Sequence, residues 1–145
     1  MEYTRKNINR GYRKLRIWQE AIEYYRMTCK VFLKFPFELK RVASNQIASV
    51  DSVHRNISEG YCRKSLKEYL NFLTISKSSI GESISGLHAC YKANQLTSEE
   101  FNKLDSIAFK LENGLLRLIE TLEGKKTGDW NDTLLIKESN ETYDH

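Results

Sequence analysis

The segment that decides the fold spans residues 52–69 and reads SVHRNISEGYCRKSLKEY. It joins two long stretches of helical periodicity through polar residues. Gly60 favours a helix end, because a residue without a Cβ readily adopts the left-handed conformation that commonly closes a helix. Ser65 and Glu68 form the pattern of a capping box, in which both side chains bind backbone N–H groups at a helix start. The segment therefore predicts a tight connection between two packed helices.

Apolar residues upstream of this segment recur at alternating spacings of three and four, which places them on one face of a helix. A first helix is predicted from about Tyr12 to Lys34, and Phe35-Pro36 ends it because proline disfavours helix at the preceding residue. A second helix is predicted from Leu39 to Gly60. The predicted inward faces are Leu15, Trp18, Ile22, Tyr25, Cys29 and Phe32 in the first helix, and Leu39, Ala43, Gln46, Val50, Val53 and Ile57 in the second.

The pattern continues downstream in two further helices. Leu66 begins a third helix that is predicted to reach about Ala93, and a capping signal at Thr97 begins a fourth that ends near Gly124. Short connections favour antiparallel neighbours. The sequence therefore predicts an all-α fold, an antiparallel up-and-down four-helix bundle, over residues 12–124. A basic N-terminal arm (residues 1–11) precedes it, and an acidic C-terminal tail (residues 125–145), expected to be partly mobile, follows it.

The composition is that of a water-soluble domain. Of the 145 residues, 40% are apolar and 29% are charged, and no apolar run approaches the ~18 residues of a membrane span. The N-terminus lacks the apolar stretch of a secretion signal, so we expect a cytoplasmic protein that does not enter a membrane. The three cysteines form no C-x-x-C pair and the three histidines are scattered, so neither a metal site nor a cofactor is predicted.

Charge is distributed unevenly along the chain. Residues 127–145 hold five acids and one lysine, and without them the chain has 22 basic and 14 acidic residues, a net charge of about +8. Such a surface attracts nucleic acid, since each neutralised phosphate releases bound counterions. The alternative is a solvated N-terminus that serves solubility alone. The candidate phosphate contacts are Arg10, Arg13, Lys14, Arg16, Arg55, Arg63 and Lys64.

Glu59 is the residue most open to a catalytic interpretation, as a general base. That role needs a raised pKa, a pocket and a substrate, and the sequence indicates none of them. A position at the helix end and an ion pair with Arg63 explain the same residue. The prediction is therefore a protein that is not an enzyme and has no catalytic residues.

Small and polar side chains form a second stripe on each of the two middle helices. The stripes consist of Asn45, Ser49, Ser52 and Asn56 on the second helix, and of Ser76, Ser79, Ser83 and Gly86 on the third. Small residues let helix backbones approach closely, so the stripes either meet inside the bundle or form a subunit contact; an exposed serine-rich face is the alternative. Glu82, beside the second stripe, would need a partner if buried, and Arg55 and Arg63 are the candidates.

Several short motifs together resemble the bacterial four helix bundle protein family, which is also called the 23S rRNA intervening sequence protein family. The resemblance covers about residues 12–123. Its motifs are Trp18-Gln19-Glu20-Ala21, Phe35-Pro36, Asn56-Ile57-Ser58-Glu59-Gly60, Arg63 with Ser65, and Phe72-Leu73-x-Ile75-x-x-x-Ser79-x-x-Glu82. The chain departs from the family pattern at His54, where proline is common, and at Arg55 and Ser58, where serine and alanine are common. Without that proline the second helix is expected to be straighter.

The resemblance implies a small four-helix bundle that assembles as a homopentamer with a basic central channel. Some members of the family are encoded within insertions of large-subunit rRNA genes, and relatives serve diversity-generating retroelements by binding nucleic acid and a reverse transcriptase. It implies no enzymatic activity. The family motif marks Asn56, Glu59, Gly60, Ser79 and Glu82 as structural residues or subunit contacts.

Residues and resemblance together lead to two hypotheses of function. The first is a homo-oligomeric bundle that binds RNA or DNA through basic surface residues and acts as an adaptor. The second is a protein-interaction scaffold that binds a protein partner, such as a reverse transcriptase, without nucleic acid.

Overall fold

The computed structural model describes residues 9–124 of the chain. It contains four α-helices: α1 (Arg16–Phe32), α2 (Lys40–Tyr61), α3 (Leu66–Lys92) and α4 (Ser98–Glu123). Two short 3₁₀ turns, Gly11–Lys14 and Phe37–Leu39, precede α1 and α2. The predictions for residues 1–8 of the arm and for the tail at 125–145 lie outside the described residues.

The helices pack in a closed ring. Each helix packs against the next along the chain, and α4 packs against α1. The connections are only a few residues long, so successive helices run antiparallel. Over residues 9–124 the predicted all-α four-helix bundle is confirmed, and the contacts between the helices fit the predicted up-and-down order.

The core lies between the four helices, all of which contribute to it, and in α2 and α4 the buried residues follow the alternating spacing of three and four. Val50, Val53 and Ile57 of α2 are fully buried, as are Leu104 and Leu111 of α4. Gln46, the polar interruption in the predicted face of α2, is also buried. The alternation of three and four therefore identified the inward faces of these helices correctly.

The first helix differs from its prediction in its start and in its buried face. Tyr12 lies in the 3₁₀ turn, and Leu15, in extended conformation, is the N-cap of α1. Leu15 and Phe32, at the two ends of the predicted face, are fully buried as predicted, but Trp18 and Tyr25 between them are only partly buried. Ile17, Ala21 and Tyr24, which lie outside the predicted face, are fully buried instead. The reason is that α1 packs on both α2 and α4, so two adjacent apolar stripes are covered, and the predicted stripe is the less buried of the two along the middle of the helix.

Gly60 does not close α2 in a left-handed conformation, as the sequence suggested. No glycine among residues 9–124 has a positive φ, and α2 continues through Gly60 to Tyr61. Gly60 instead permits a close helix contact: a Cβ there would lie 2.7 Å from Phe72 Cβ and 2.8 Å from Tyr69 Cδ1. The requirement at this position is space rather than backbone conformation.

The two predicted caps differ in completeness. Ser65 Oγ accepts the backbone N–H of Glu68 at 3.2 Å, but the Glu68 carboxylate lies 3.8 Å from Arg63. Thr97 has both bonds of the capping box, because its Oγ1 accepts from the Glu100 N–H and the Glu100 carboxylate accepts from the Thr97 N–H.

The two polar stripes meet inside the bundle, between α2 and α3. Ser76 Oγ donates to the Val53 carbonyl at 3.0 Å, and Ser79 Oγ donates to Ser52 Oγ at 2.9 Å. Gln46 Nε2 donates to the Ser83 carbonyl at 2.8 Å, in space that Gly86 leaves open. Glu82 is exposed, so it needs no buried partner.

Candidate nucleic-acid interface

The 3₁₀ turn Gly11–Lys14 holds the first group of predicted phosphate contacts. Two backbone hydrogen bonds close the turn. The Arg13 N–H donates to the Arg10 carbonyl at 3.1 Å, and the Leu15 N–H donates to the Tyr12 carbonyl at 2.9 Å. Leu15 is fully buried and anchors the turn to the core, while the charged side chains of Arg13 and Lys14 are exposed.

Aromatic rings attach this turn to the end of α2. The ring of Tyr12 lies 5.4 Å from that of Trp18 and 6.3 Å from that of Tyr61, measured between centroids. Gly11 packs closely against Tyr61, since a Cβ at Gly11 would lie 2.7 Å from Tyr61 Oη. The cations of the turn therefore project from a backbone that is packed against the bundle.

Arg10, Arg13 and Lys14 line one open pocket of ≈ 310 Å³, together with Gly11 and Gln19. Gln19 Nε2 donates to the Arg13 carbonyl at 2.9 Å and ties the pocket wall to α1. Within residues 9–124, the ion pairs formed involve other cations, so none of these three charges is neutralised there. The pocket is thus lined by cations with their charge still available to an anion.

Arg63 and Lys64 lie at the same end of the bundle, in the connection between α2 and α3. Arg63 Nη2 contacts Glu59 Oε2 at 2.7 Å, and its guanidinium carbon lies 5.0 Å from the centre of the Phe72 ring. This confirms the ion pair expected for Glu59. Lys64 is exposed. We call Arg10, Arg13, Lys14, Arg63 and Lys64 together the basic end.

The remaining two candidates, Arg16 and Arg55, are paired with carboxylates on their own helices. Arg16 is mostly buried, with 16% of its side chain exposed, and its Nε lies 3.1 Å from Glu20 Oε2. Arg55 is exposed and binds Asp51. The structure therefore does not bring these two arginines into the pocket of the 3₁₀ turn.

Asp51 is the centre of a small polar cluster on α2. Its carboxylate also contacts His54 Nε2 at 2.8 Å, and the His54 ring lies against Trp18 and Tyr25 of α1. Partial burial tends to raise the pKa of Asp51, but the hydrogen bonds from Arg55 and His54 outweigh it and hold that pKa below its ordinary value of 3.8. His54 and Arg55, two of the three departures from the family pattern, thus belong to one local network around Asp51.

The other family-motif residues have structural contacts. Asn56 Nδ2 donates to the carbonyl and to Oγ of Ser52, at 2.8 and 2.9 Å. Glu59 is about half exposed and binds Arg63 at the surface. Among residues 9–124, no three His, Cys, Asp or Glu side chains are placed to hold a metal ion, and none of the helices is long and apolar enough to cross a membrane.

Sequence reasoning missed two features of the site, Gln19 as a lining residue and Gly11 as the contact with Tyr61. A glycine between Arg10 and Tyr12, within a basic stretch, was the available signal for Gly11, since glycine often marks close approach of backbone. Nothing in the sequence around Gln19 indicated its bond to the Arg13 carbonyl.

Fold and site together define a class, a compact helical bundle that presents a cationic end. The family model described as 23S rRNA-intervening sequence protein matches residues 13–117, from the 3₁₀ turn to the last turns of α4. The chain belongs to this family, as its motifs indicated. A search of the curated proteins found no match.

Proposed function

We propose that this protein is a non-enzymatic, homo-oligomeric adaptor of the cytoplasm that binds RNA or DNA through its basic end. The observation that carries the proposal is the pocket of the 3₁₀ turn, where three cations converge without an acidic partner among residues 9–124. Lys64 extends the cationic surface at the same end, beside Arg63, whose guanidinium is already paired with Glu59.

The chemistry of the basic end suits phosphate rather than base recognition. Arginine donates to phosphate oxygens through a planar fork, and lysine contributes a point charge. Contacts of this type position a nucleic acid without reading its sequence. We therefore expect binding that tolerates many sequences.

Salt dependence of binding tests this proposal on the unmodified chain. Neutralisation of three to five phosphates predicts that log K falls against log salt with a slope of about −2 to −3.5 for a single strand, because each phosphate contributes ~0.7. Fluorescence anisotropy of labelled single-stranded and duplex oligonucleotides measures the slope. Affinity that is unchanged between low and moderate salt would refute phosphate contact.

The homo-oligomeric part of the proposal has support from exposed apolar side chains. Ile75 on α3 is 46% exposed and Phe109 on α4 is 64% exposed, and a subunit contact would cover such surface. A pentamer of the 17.0 kDa chain has a mass of about 85 kDa. Measurement of the native mass tests the homo-oligomer, and a particle with the mass of a single chain would refute it.

Absorbance of the same particle near 260 nm reports nucleic acid that copurifies with the protein.

A protein-interaction scaffold is the second candidate function, because apolar side chains are exposed at the end of the bundle opposite the basic end. Leu33 and Phe37 in the connection between α1 and α2 are each 75% exposed. A protein partner that covers these two side chains would remove their apolar surface from water. A partner complex, with a reverse transcriptase for example, that stays intact after nuclease treatment would favour this function; loss of the complex favours the nucleic-acid adaptor.

A further inference from the structure

We propose that the acidic segment, residues 127–145, binds the basic end of the same chain when nucleic acid is absent. The segment is then a built-in competitor that nucleic acid displaces. This inference rests on the proposed function, because it names what regulates the same surface.

The course of α4 brings the acidic segment to the basic end. A Cβ at Gly114 would lie 3.4 Å from Ile17 Cγ2, and Lys110 Nζ lies 3.7 Å from Glu20 Oε2, so this part of α4 is beside the start of α1. Since the two helices are antiparallel, the residues from Gly114 to Glu123 extend about 14 Å further, past the start of α1. Gly124 therefore lies at the end of the bundle that carries the 3₁₀ turn.

The segment is long enough for its later acids to cross the whole end of the bundle, and for Asp129 to cross most of it. Asp129 follows Gly124 by five residues and Asp144 by twenty. An extended chain spans about 3.5 Å per residue, which gives ~17 Å for the first acid and ~70 Å for the last. The end of a four-helix bundle is only about two helix diameters across, or ~20–24 Å.

The opposite charges of the two regions favour the acidic segment as the group that binds the basic end. The acidic segment has five acids against Lys137, and the cations of the 3₁₀ turn have no acidic partner within residues 9–124. An attached segment has an effective concentration in the millimolar range, so weak exposed contacts suffice to hold it. A nucleic acid with many phosphates displaces it, and salt screens both interactions.

Carbodiimide cross-linking of the full chain tests the placement without nucleic acid, because it joins a carboxylate to a lysine only when the two touch. At low salt we expect links from Asp129, Asp132 or Glu138 to Lys14 and Lys64. Lys34 and Lys92, exposed at the opposite end, are the matched controls. A mixture of heavy-isotope and ordinary chains identifies links within one chain. Links that reach both ends equally, or that only join different chains, would overturn the proposal.

Nucleic-acid affinity provides the second readout. The triple variant Asp129→Asn, Asp132→Asn, Glu138→Gln is expected to bind a labelled oligonucleotide roughly tenfold more tightly at low salt. The control triple variant Glu38→Gln, Glu82→Gln, Glu99→Gln changes the net charge equally at exposed positions of the bundle, and we expect a smaller gain. Equal gains refute docking. Cross-links confined to the basic end of a chain that binds no nucleic acid would instead refute the proposed function and support docking.

Discussion

Two glycines in neighbouring helices differ in what surrounds them, and the difference predicts opposite effects of the same substitution. A Cβ at Gly60 would meet Phe72 and Tyr69 at 2.7 and 2.8 Å, whereas a Cβ at Gly81 would meet nothing within 4 Å. We expect Gly60→Ala to lower the free energy of unfolding by about 1–3 kcal/mol through overpacking. Gly81→Ala is expected to raise it by about 0.5–1 kcal/mol, because alanine is the better helix former. Urea unfolding measures both, and similar values for the two variants would contradict the packing account.

Asp51 makes stability depend on pH in the acid range. Its pKa is held below the ordinary 3.8, so its stabilising contribution is fully present above that value and is lost as pH falls through the lower folded-state pKa. We expect the free energy of unfolding of Asp51→Asn to fall less than that of the unmodified chain between about pH 5 and pH 2. Glu82→Gln, at an exposed position, is the control and should keep the full acid loss. Identical pH profiles for Asp51→Asn and the unmodified chain would refute the contribution.

The polar contact between α1 and α3 is the most testable feature at the scale of elements. Tyr24 and Ser83 are fully buried, and their hydroxyl oxygens lie 2.7 Å apart. We expect Ser83→Ala to cost about 1–3 kcal/mol, because it leaves the Tyr24 hydroxyl buried without this partner. In the Tyr24→Phe background the same change should cost clearly less. A double-mutant cycle measures this coupling, and additive costs would show that the pair is not coupled.

Helices were predictable from the sequence to the extent that their periodicity was unambiguous. The buried positions of α2 and α4 follow the alternation of three and four, but α1 has two adjacent apolar stripes, and only its neighbours decide which is inside. Gly60 shows a similar limit. Glycine is suited both to a left-handed helix cap and to a close contact between helices. Which of the two roles Gly60 has depends on its contacts with Phe72 and Tyr69 of α3, and those contacts exist only in the folded chain.

At the scale of the whole molecule, composition identified the basic residues but not their grouping. Arg16 with Glu20, Arg55 with Asp51 and Arg63 with Glu59 are pairs four residues apart. That spacing was a usable signal for neutralised cations. The convergence of the 3₁₀ turn and the α2–α3 connection at one end required the up-and-down topology, because residues 10–14 and 63–64 are about fifty positions apart.

The central claim is that nucleic acid binds at the basic end, and that the net positive charge of the whole chain is not sufficient for binding. Arg13→Glu with Lys14→Glu reverses two charges there, and Lys34→Glu with Arg41→Glu reverses one lysine and one arginine at exposed positions of the opposite end. The two double variants change the net charge equally, and circular dichroism checks that both remain helical.

Fluorescence anisotropy of a labelled oligonucleotide at one fixed low salt concentration compares the two variants most directly. We predict that the Arg13 and Lys14 variant loses at least about tenfold in affinity across unrelated sequences, and that its salt slope becomes shallower by about 1.4 for a single strand. The Lys34 and Arg41 variant should bind nearly as tightly as the unmodified chain. Equal losses in the two variants, or no loss at Arg13 and Lys14, would contradict the claim.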